Sequence, residues 1–204
     1  PSLTLIFPIN SNEPKFKDTS ILVWTTTPWT LYSNFCIVVG PDMDYNLVEQ
    51  DGKKYWIAAS RTAAYFKNPN IVDTCKGSEL VGKDYEPLSR ISDAFVTPDQ
   101  LSRHYKIYPA DYVSTEDGTG AVHTAPSFGE EDFQKGAELD LGLFDPLDTE
   151  GKFTDKVPMW KGLGAKEADK EIIRYFKEQG RVFKQDVIVH SYPHCWRTGV
   201  PLIY

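Results

Sequence analysis

Short apolar runs, each stopped by a proline or a glycine, constrain this chain more than any other feature of its sequence. Residues 21–26 form a β-branched and aromatic run that ends before Pro28, and residues 36–39 form a second run that ends at Gly40. Because proline cannot donate a hydrogen bond to a strand ladder, each run is expected to be a strand that leads into a loop.

Other segments complete a pattern of many short strands and few helices. Asp51-Gly52 lies between the runs 45–49 and 54–59, and this dipeptide is preferred in tight hairpins because it accepts positive φ. The pattern further predicts strands around Val81, 95–96, 106–108 and 121–124, and helices over 61–67, from about Gly129 and over 166–179, the last followed by Gly180. We therefore expect an α/β (α+β) fold, in which a β-barrel or curved sheet is decorated by short helices.

Composition places the chain among globular proteins. Its 204 residues are 41% hydrophobic and 13% aromatic, enough for one domain with a substantial core. No apolar run approaches the roughly 20 residues that cross a bilayer, and the first residues carry no export signal. We expect no membrane partner and a cytoplasmic location, which the three widely spaced cysteines also fit. A net charge of −7 argues against binding nucleic acid by bulk charge alone.

Both ends of the chain lie within strand-like patterns. Leu3, Leu5 and Ile6 follow the first residue at once, and the chain stops at Leu202-Ile203-Tyr204. We therefore expect a single domain over 1–204 that is part of a larger protein, with 190–204 leading back toward the body of that protein.

Consecutive threonines stand where the run 21–26 meets its loop. Thr25, Thr26 and Thr27 place hydroxyls side by side, and we call residues 25–30 the threonine loop. Such a loop can hydrogen-bond a polar ligand, and Trp29 offers an apolar wall or a stacking surface for a base. The alternative is that threonine is simply a good strand residue and that Trp29 belongs to the core.

A glycine-rich segment precedes a histidine and a group of acids. Gly118 and Gly120 flank Thr119 and let backbone approach a ligand closely, while His123 occupies a strand position that usually holds an apolar residue. Asp132 lies in the first turn of the next predicted helix, where the helix dipole favours carboxylates. Asp132 is therefore either an ordinary helix-start residue or an anionic anchor for an ammonium group.

Two further patterns in the sequence could mark a binding site. His190, His194 and Cys195 suggest metal binding, but their spacing lacks a second cysteine pair, so we expect no metal site. Basic residues also recur every three or four positions along the longest predicted helix and just past its end. This spacing favours either a solvated face or a surface for RNA or the parent protein. We call these residues the basic stripe: Lys166, Lys170, Arg174, Lys177 and Arg181.

Three segments together point to one enzyme family. They are Thr25-Thr26-Thr27-Pro28-Trp29-Thr30 with Asn34; Gly118-Thr119-Gly120 with His123-Thr124-Ala125-Pro126 and Gly129-Glu130-Glu131-Asp132; and Tyr192-Pro193-His194-Cys195-Trp196-Arg197 with Pro201-Leu202-Ile203-Tyr204. Over essentially its whole length the chain closely resembles isoleucyl-tRNA synthetase, in the editing domain inserted into that class I enzyme. Related valyl and leucyl enzymes typically carry Arg-Pro-Glu-Thr or Arg-Pro-Asp-Thr where residues 27–30 read Thr-Pro-Trp-Thr, which favours the isoleucine branch.

The resemblance implies an activity and its partners. Such a domain hydrolyses misacylated Val-tRNA(Ile) at the aminoacyl ester, with valyl-adenylate as a further candidate substrate, by means of a positioned water. The partners would be the 3′ end of tRNA(Ile) and the body of a parent synthetase that uses ATP and Mg²⁺. The synthetic site of that parent is absent from this chain, and we expect no cofactor within the chain itself.

The resemblance also implies roles for residues of this sequence. Asp132 would bind the α-ammonium group, His123 would limit side-chain size, and backbone amides near 118–120 would polarise the ester carbonyl. The threonine loop with Trp29 would hold the terminal adenosine, supported by Asn34. The expected catalytic residues are Asp132, His123 and Thr27. The expected substrate-binding residues are Thr25, Thr26, Thr27, Trp29, Asn34, Gly118, Thr119, Gly120, His123 and Asp132.

Two departures and two alternatives accompany the resemblance. Tyr32 stands where the family generally has proline, which leaves the rigidity of the loop open. Thr198 stands where many relatives have a second cysteine used toward zinc, so we expect no zinc here. The alternatives are an editing domain from a valyl- or leucyl-type synthetase, and a non-catalytic tRNA-docking module in which the threonine loop and Asp132 are structural.

Overall fold

The computed structural model describes residues 1–187, in which strands dominate. The strands are β1 (Ser2–Asn10), β2 (Thr19–Thr25), β3 (Cys36–Val39), β4 (Asp44–Gln50), β5 (Lys53–Ala58), β6 (Asn70–Lys76), β7 (Asp84–Tyr85), β8 (Lys106–Pro109), β9 (Ala121–Thr124) and β10 (Val182–Asp186). The α-helices are α1 (Thr62–Tyr65), α2 (Gly77–Leu80), α3 (Pro98–Leu101), α4 (Glu130–Glu138) and α5 (Ala165–Glu178). Short 3₁₀ helices cover Pro28–Ser33, Ala59–Arg61, Ile91–Phe95 and Pro158–Trp160.

The strands form a closed barrel with an extension on each side. Hydrogen-bonded neighbours follow the order β10-β1-β7-β8-β3-β9-β2-β5-β4-β6, and β1 pairs in addition with β2. That extra pairing closes a ring of six strands from β1 through β7, β8, β3 and β9 to β2. Because β10 extends the ring from β1 and β5-β4-β6 extends it from β2, the expected barrel decorated by short helices is confirmed.

Strand β2 is the point where the barrel and its larger extension meet. It pairs with β5 through Thr19 to Ile21 and with β9 at Trp24. Its apolar side chains are buried on both faces, because Ile21 and Val23 lie in the main core while Leu22 lies in a second, smaller core. Burial on both faces explains why this strand is a continuous apolar run rather than an alternating one.

Helix α5 covers one side of the barrel. Its bounds confirm the prediction of a helix over 166–179. Ala168, Ile172 and Phe176 are buried along its inner face, and the helix packs against the 3₁₀ helix Pro28–Ser33. Gly180 has φ +69°, the left-handed conformation expected just after a helix end.

The hairpin at Asp51-Gly52 is confirmed, since Gln50 pairs with Lys53 across a turn in which both central residues have positive φ. The helix predicted over 61–67 is real but shorter, as α1. Two predicted strands are wrong. Near Val81 the Lys76 amide donates to Glu79 Oε1 and starts α2, so Val81 ends a helix.

The second wrong strand is the one predicted at 95–96. Phe95 is the last residue of the 3₁₀ helix Ile91–Phe95 and is 47% exposed, so it lacks the burial that its apolar character suggested. The Thr97 amide donates to Gln100 Oε1 and starts helix α3, which leaves no room for a strand between the two helices.

Candidate functional site

A cavity of about 560 Å³ opens beside the paired residues Trp24 of β2 and Val122 of β9. Its walls come from the threonine loop, from residues 116–123 and from the first turn of α4. The structure thus brings together segments that are about 100 residues apart in the chain, and all of the expected site residues line this cavity apart from Asn34.

The threonine loop is held by its own hydroxyl groups. The Thr27 amide donates to Thr25 Oγ1 (3.1 Å), and both the amide and the hydroxyl of Thr30 donate to the Thr27 carbonyl (3.0 and 2.8 Å). Thr25 and Thr30 are buried, whereas Thr26 and Thr27 are half-buried where they line the cavity. Thr26 and Thr27 are therefore the members of the loop best placed to meet a ligand.

The hydrogen bonds around His123 determine its tautomer. Asn34 Oδ1 accepts from the Tyr85 hydroxyl (2.7 Å), and Asn34 Nδ2 donates to the Cys36 carbonyl (3.0 Å) and to His123 Nδ1 (3.1 Å). Since Nδ1 accepts, the proton of the neutral ring lies on Nε2, which donates to Thr30 Oγ1 (2.8 Å). Burial lowers the pKa of His123 to about 4, so the ring is neutral at pH 7.

These contacts describe the surroundings of two of the expected site residues, His123 and Asn34. Both ring nitrogens of His123 are engaged, so the ring is a rigid wall and has no nitrogen free to take a proton from water. Asn34 is 4% exposed and does not line the cavity. It orients His123 from behind, rather than supporting the hydroxyls of the threonine loop.

Asp132 lies in the first turn of α4 and reaches back to the barrel. Its Oδ2 accepts from the Ala125 amide (2.8 Å), just beyond the end of β9. Burial raises the pKa of Asp132 to about 7, with a further contribution from Glu131, while the bond from Ala125 acts in the opposite direction. A cation placed beside this carboxyl group would favour its ionised form.

The charged side chains that line the cavity are all acidic. Glu116, Asp117 and Glu131 join Asp132, and the described lining includes no lysine or arginine. A wall with acidic groups alone attracts a cation and repels phosphate. The cavity is therefore suited to an ammonium group.

The glycine segment has the conformation that only glycine adopts freely. Gly118 and Gly120 have φ of +69° and +78°, and a Cβ on Gly120 would lie 2.4 Å from Ala58 Cβ. Arg61 Nε donates to the Gly118 carbonyl (2.8 Å) and holds the segment from its outer side. The glycines are needed for this backbone path, which brings residues 118–120 to the cavity wall.

Trp29 belongs to the core, which is the alternative that the sequence left open for it. Trp29 is 2% exposed and packs edge-on against Phe128 with 4.8 Å between ring centroids, so it has no open face on which a base could stack. Trp24 is half-buried at the cavity wall and packs against Gly118. Trp24 and Tyr112 also line the cavity and were not among the expected site residues. Because β2 is apolar on both faces, the sequence carries no signal that Trp24 rather than Trp29 faces the cavity.

Tyr32, which stands where the family generally has proline, is buried against α5. Its ring lies 5.8 Å from that of Phe176 and 6.5 Å from that of Trp160. Aromatic packing therefore holds the end of the 3₁₀ helix without the proline.

The basic stripe divides into two parts. Lys170, Arg174 and Lys177 are exposed, and Arg174 pairs with Glu171. The Arg181 side chain is only 12% exposed and donates to backbone carbonyls, so it belongs to the fold.

Several expectations concern residues beyond 187, which lie outside the described residues. These include the segment with His190, His194 and Cys195, so the expected absence of zinc stays a prediction. Among residues 1–187 no group of three or more His, Cys, Asp or Glu is arranged to hold a metal ion. In that same range no helix has both the length and the apolar character needed to cross a membrane.

Comparison with known proteins decides the family. The isoleucine–tRNA ligase of Treponema denticola is 43% identical over 202 residues, covering 92% of this chain, and that of Bdellovibrio bacteriovorus is 42% identical over 211 residues, covering 100%. The chain belongs to the isoleucine–tRNA ligase family. It spans 18% and 19% of the length of these two relatives. No protein-family model matches the chain.

Solved structures of synthetase editing domains share the fold of this chain. GlLeuRS-CP1 superposes with a TM-score of 0.65 at 12% identity, covering 95% of this chain and 100% of its own. The editing domain of the P. falciparum cytosolic leucyl-tRNA synthetase gives 0.60 at 13% identity, covering 89% and 98%. The fold is shared with leucyl enzymes, whereas the sequence of this chain matches isoleucine enzymes.

Proposed function

We propose that this chain is an editing hydrolase that removes valine from misacylated tRNA(Ile) by hydrolysing the aminoacyl ester. The observation that carries the proposal is the carboxyl group of Asp132, half-buried with a raised pKa in a cavity whose described lining holds no lysine or arginine. The family membership and the editing-domain fold support the proposal independently.

The need for such an activity follows from the limits of apolar recognition. Valine lacks one methylene of isoleucine, a difference worth only about 1–3 kcal/mol to a binding pocket, for which isoleucyl-tRNA synthetases are the usual example. A site built to hold isoleucine therefore admits some valine. A second pocket can exclude isoleucine by steric overlap, which discriminates more sharply than a lost contact.

Asp132 would bind the α-ammonium group of the misattached amino acid. An ammonium–carboxylate hydrogen bond is charge-assisted and roughly twice as strong as a neutral one. Because the other acids of the cavity have the same sign, they reinforce the attraction for the ammonium group.

The size limit would come from the wall that contains His123. Hydrogen bonds at both nitrogens fix the ring, and the residues that make them, Asn34 and Thr30, are themselves buried. A wall held in this way cannot yield to an additional methylene without breaking buried hydrogen bonds.

The ester would be cleaved by a positioned water. Thr27 is half-buried and lines the same cavity as the glycine segment, so its hydroxyl can orient the water while amides of residues 118–120 polarise the carbonyl. A ribose hydroxyl of the tRNA assists. Trp24 replaces Trp29 as the surface for the terminal adenosine, because Trp24 has the partly exposed ring.

The phosphates of the tRNA would be held elsewhere. The acidic cavity wall repels them, and the chain carries a net charge of −7. We therefore propose the body of the parent synthetase, an ATP- and Mg²⁺-dependent ligase, as the second partner, and no cofactor for the hydrolysis itself.

Hydrolysis rates of tRNA(Ile) charged with valine, isoleucine or threonine test the proposal. We expect valine to be released at least about tenfold faster than isoleucine, the ratio for a free-energy difference of 1.4 kcal/mol. Preference for threonine would instead favour a valyl-type editing domain. Binding of tRNA without hydrolysis of any ester would favour the docking module.

A further inference from the structure

A buried carboxyl group lies behind the threonine loop. Asp169 is on the inner face of α5 between apolar neighbours and is 3% exposed. Its Oδ1 accepts a hydrogen bond from the Trp29 amide (3.1 Å). A carboxylate is costly to bury, and an apolar side chain in its place is often neutral or stabilising, so packing alone does not account for an acid here.

The amide that Asp169 holds lies at the buried start of a 3₁₀ helix. Trp29 is in the first turn of the 3₁₀ helix Pro28–Ser33, where amides lack partners within the helix. Pro28 has no N–H, and the Thr27 side chain makes no cap. Asp169 therefore supplies, from another helix, the acceptor that a capping side chain would normally provide.

The same helical turn carries the hydroxyl that meets His123. Thr30 lies one residue beyond Trp29, and its Oγ1 both donates to the Thr27 carbonyl and accepts from His123 Nε2. A shift of this turn would move the Thr30 hydroxyl and release the histidine ring. Asp169 itself does not line the cavity, so it can act on the site only through the loop.

We propose that Asp169 is a positioning residue of the editing site, which holds the Trp29 amide and thereby fixes Thr30 and the His123 wall. The expected effect of Asp169 on catalysis rests on the proposed function. Its expected effect on the positions of Thr30 and His123 does not.

The ionisation of Asp169 is consistent with this role. Burial raises its pKa to about 6, while the nearby positive charge of Lys166 and the bond from the Trp29 amide oppose the rise. The group is therefore mostly ionised at pH 7 to 8, where an anionic oxygen makes the stronger acceptor.

Two substitutions separate the acceptor from the packing. Asp169→Asn keeps an acceptor oxygen at nearly the same volume, whereas Asp169→Ala removes it. With valyl-tRNA(Ile) as the probe, we expect kcat of the Ala variant to fall about tenfold or more, as for the loss of a hydrogen bond to a charged acceptor, and that of the Asn variant to stay within about threefold. The dissociation constant for tRNA should not change in either variant, because Asp169 does not line the cavity.

Nitrogen NMR of the full chain supplies a readout that needs no activity. In the wild type and the Asn variant we expect the His123 ring to show one protonated Nε2, and in the Ala variant we expect that signal and the Trp29 amide signal to shift. An inactive wild type would overturn the proposed function and leave this arm to decide the inference. Unchanged NMR signals in a folded Ala variant, or an Asn variant as impaired in kcat as the Ala variant, would overturn the positioning role of Asp169.

Discussion

At the scale of single residues, Asp132 lies in a site that opposes its own charge. Burial raises its pKa to about 7, and Glu131 adds a like charge beside it. A group that the fold disfavours in its ionised form lowers the stability of the folded protein at neutral pH. Such groups cluster at functional sites, because the ligand supplies the charge that the protein leaves out.

Replacing Asp132 by Asn should stabilise the free protein at high pH. The carboxyl group ionises near 3.8 in the unfolded chain and near 7 in the folded protein, so stability falls as the pH rises through this range. At pH 8 we expect the Asn variant to melt at least about 2–4 °C above the wild type, the shift that 1 kcal/mol gives in a domain of this size. At pH 4 the difference should vanish. Circular dichroism melts at both values test this, and a difference independent of pH would contradict it.

Substrate binding should also depend on pH. Ionisation of Asp132 near pH 7 favours the contact, while an α-amino group loses its proton near about 7.7–8.0. We therefore expect KM for valyl-tRNA(Ile) to fall as the pH rises to about 7 and to rise again above about 8. Steady-state kinetics from pH 5.5 to 9 measure both limbs, and the Asp132→Asn variant, which lacks the ionisation, should lose the lower one. A KM that is flat below pH 7 in the wild type argues against Asp132 as the anchor.

At the scale of elements, the site depends on backbone path as much as on side chains. Residues 118–120 run into β9 with two glycines in the left-handed region, and Gly120 lies directly against Ala58 of β5. The element that presents these amides is thus packed tightly onto the larger sheet extension.

Gly120→Ala should therefore destabilise the protein more than a glycine substitution with the same φ in open space. Gly52 is the matched control, with φ +74° and nothing within 4 Å of an added Cβ, whereas Gly120 has φ +78° and Ala58 Cβ at 2.4 Å. We expect a cost of about 1–2 kcal/mol for Gly52→Ala, from backbone strain alone. The Gly120 variant should lose about 1–3 kcal/mol more through overpacking. Urea denaturation compares them, and equal costs would show that the Ala58 contact yields.

At the scale of the whole molecule, features with local causes were predictable and those with distant causes were not. The hairpin at Asp51-Gly52 and the amphipathic helix α5 depend on neighbouring residues, so their patterns could be read directly. The pairing of Trp24 in β2 with Val122 in β9 and the bond from the Trp29 amide to Asp169, across 140 residues, leave no local signal. The residue types of the site were visible in the sequence, but whether Trp24 or Trp29 faces the cavity depends on how the barrel closes.

Arg181 belongs to the basic stripe by its spacing in the sequence, but its side chain is only 12% exposed and joins separate segments of the fold. Its guanidinium donates to the carbonyls of Ile6 (2.9 Å) and Glu86 (2.8 Å), joining the end of α5 to two separate segments. We expect Arg181→Met to lower the free energy of unfolding by about 2–4 kcal/mol, because the two backbone carbonyls that the guanidinium joins lose a charged donor. Lys177→Met, at an exposed position, should change it by less than about 0.5 kcal/mol. Similar changes in the free energy of unfolding for the two variants in urea denaturation would show that Arg181 contributes no more to stability than an exposed residue of the basic stripe.

The most direct test of the account is the rate at which valine is released from valyl-tRNA(Ile) by the wild type and by Asp132→Ala, with folding of both checked by circular dichroism. We expect the wild type to hydrolyse this ester, to spare isoleucyl-tRNA(Ile), and to lose the activity in the variant, because the ammonium group loses its anchor. Equal rates of valine release by the two folded proteins would contradict the assignment of Asp132 and the editing site built around it.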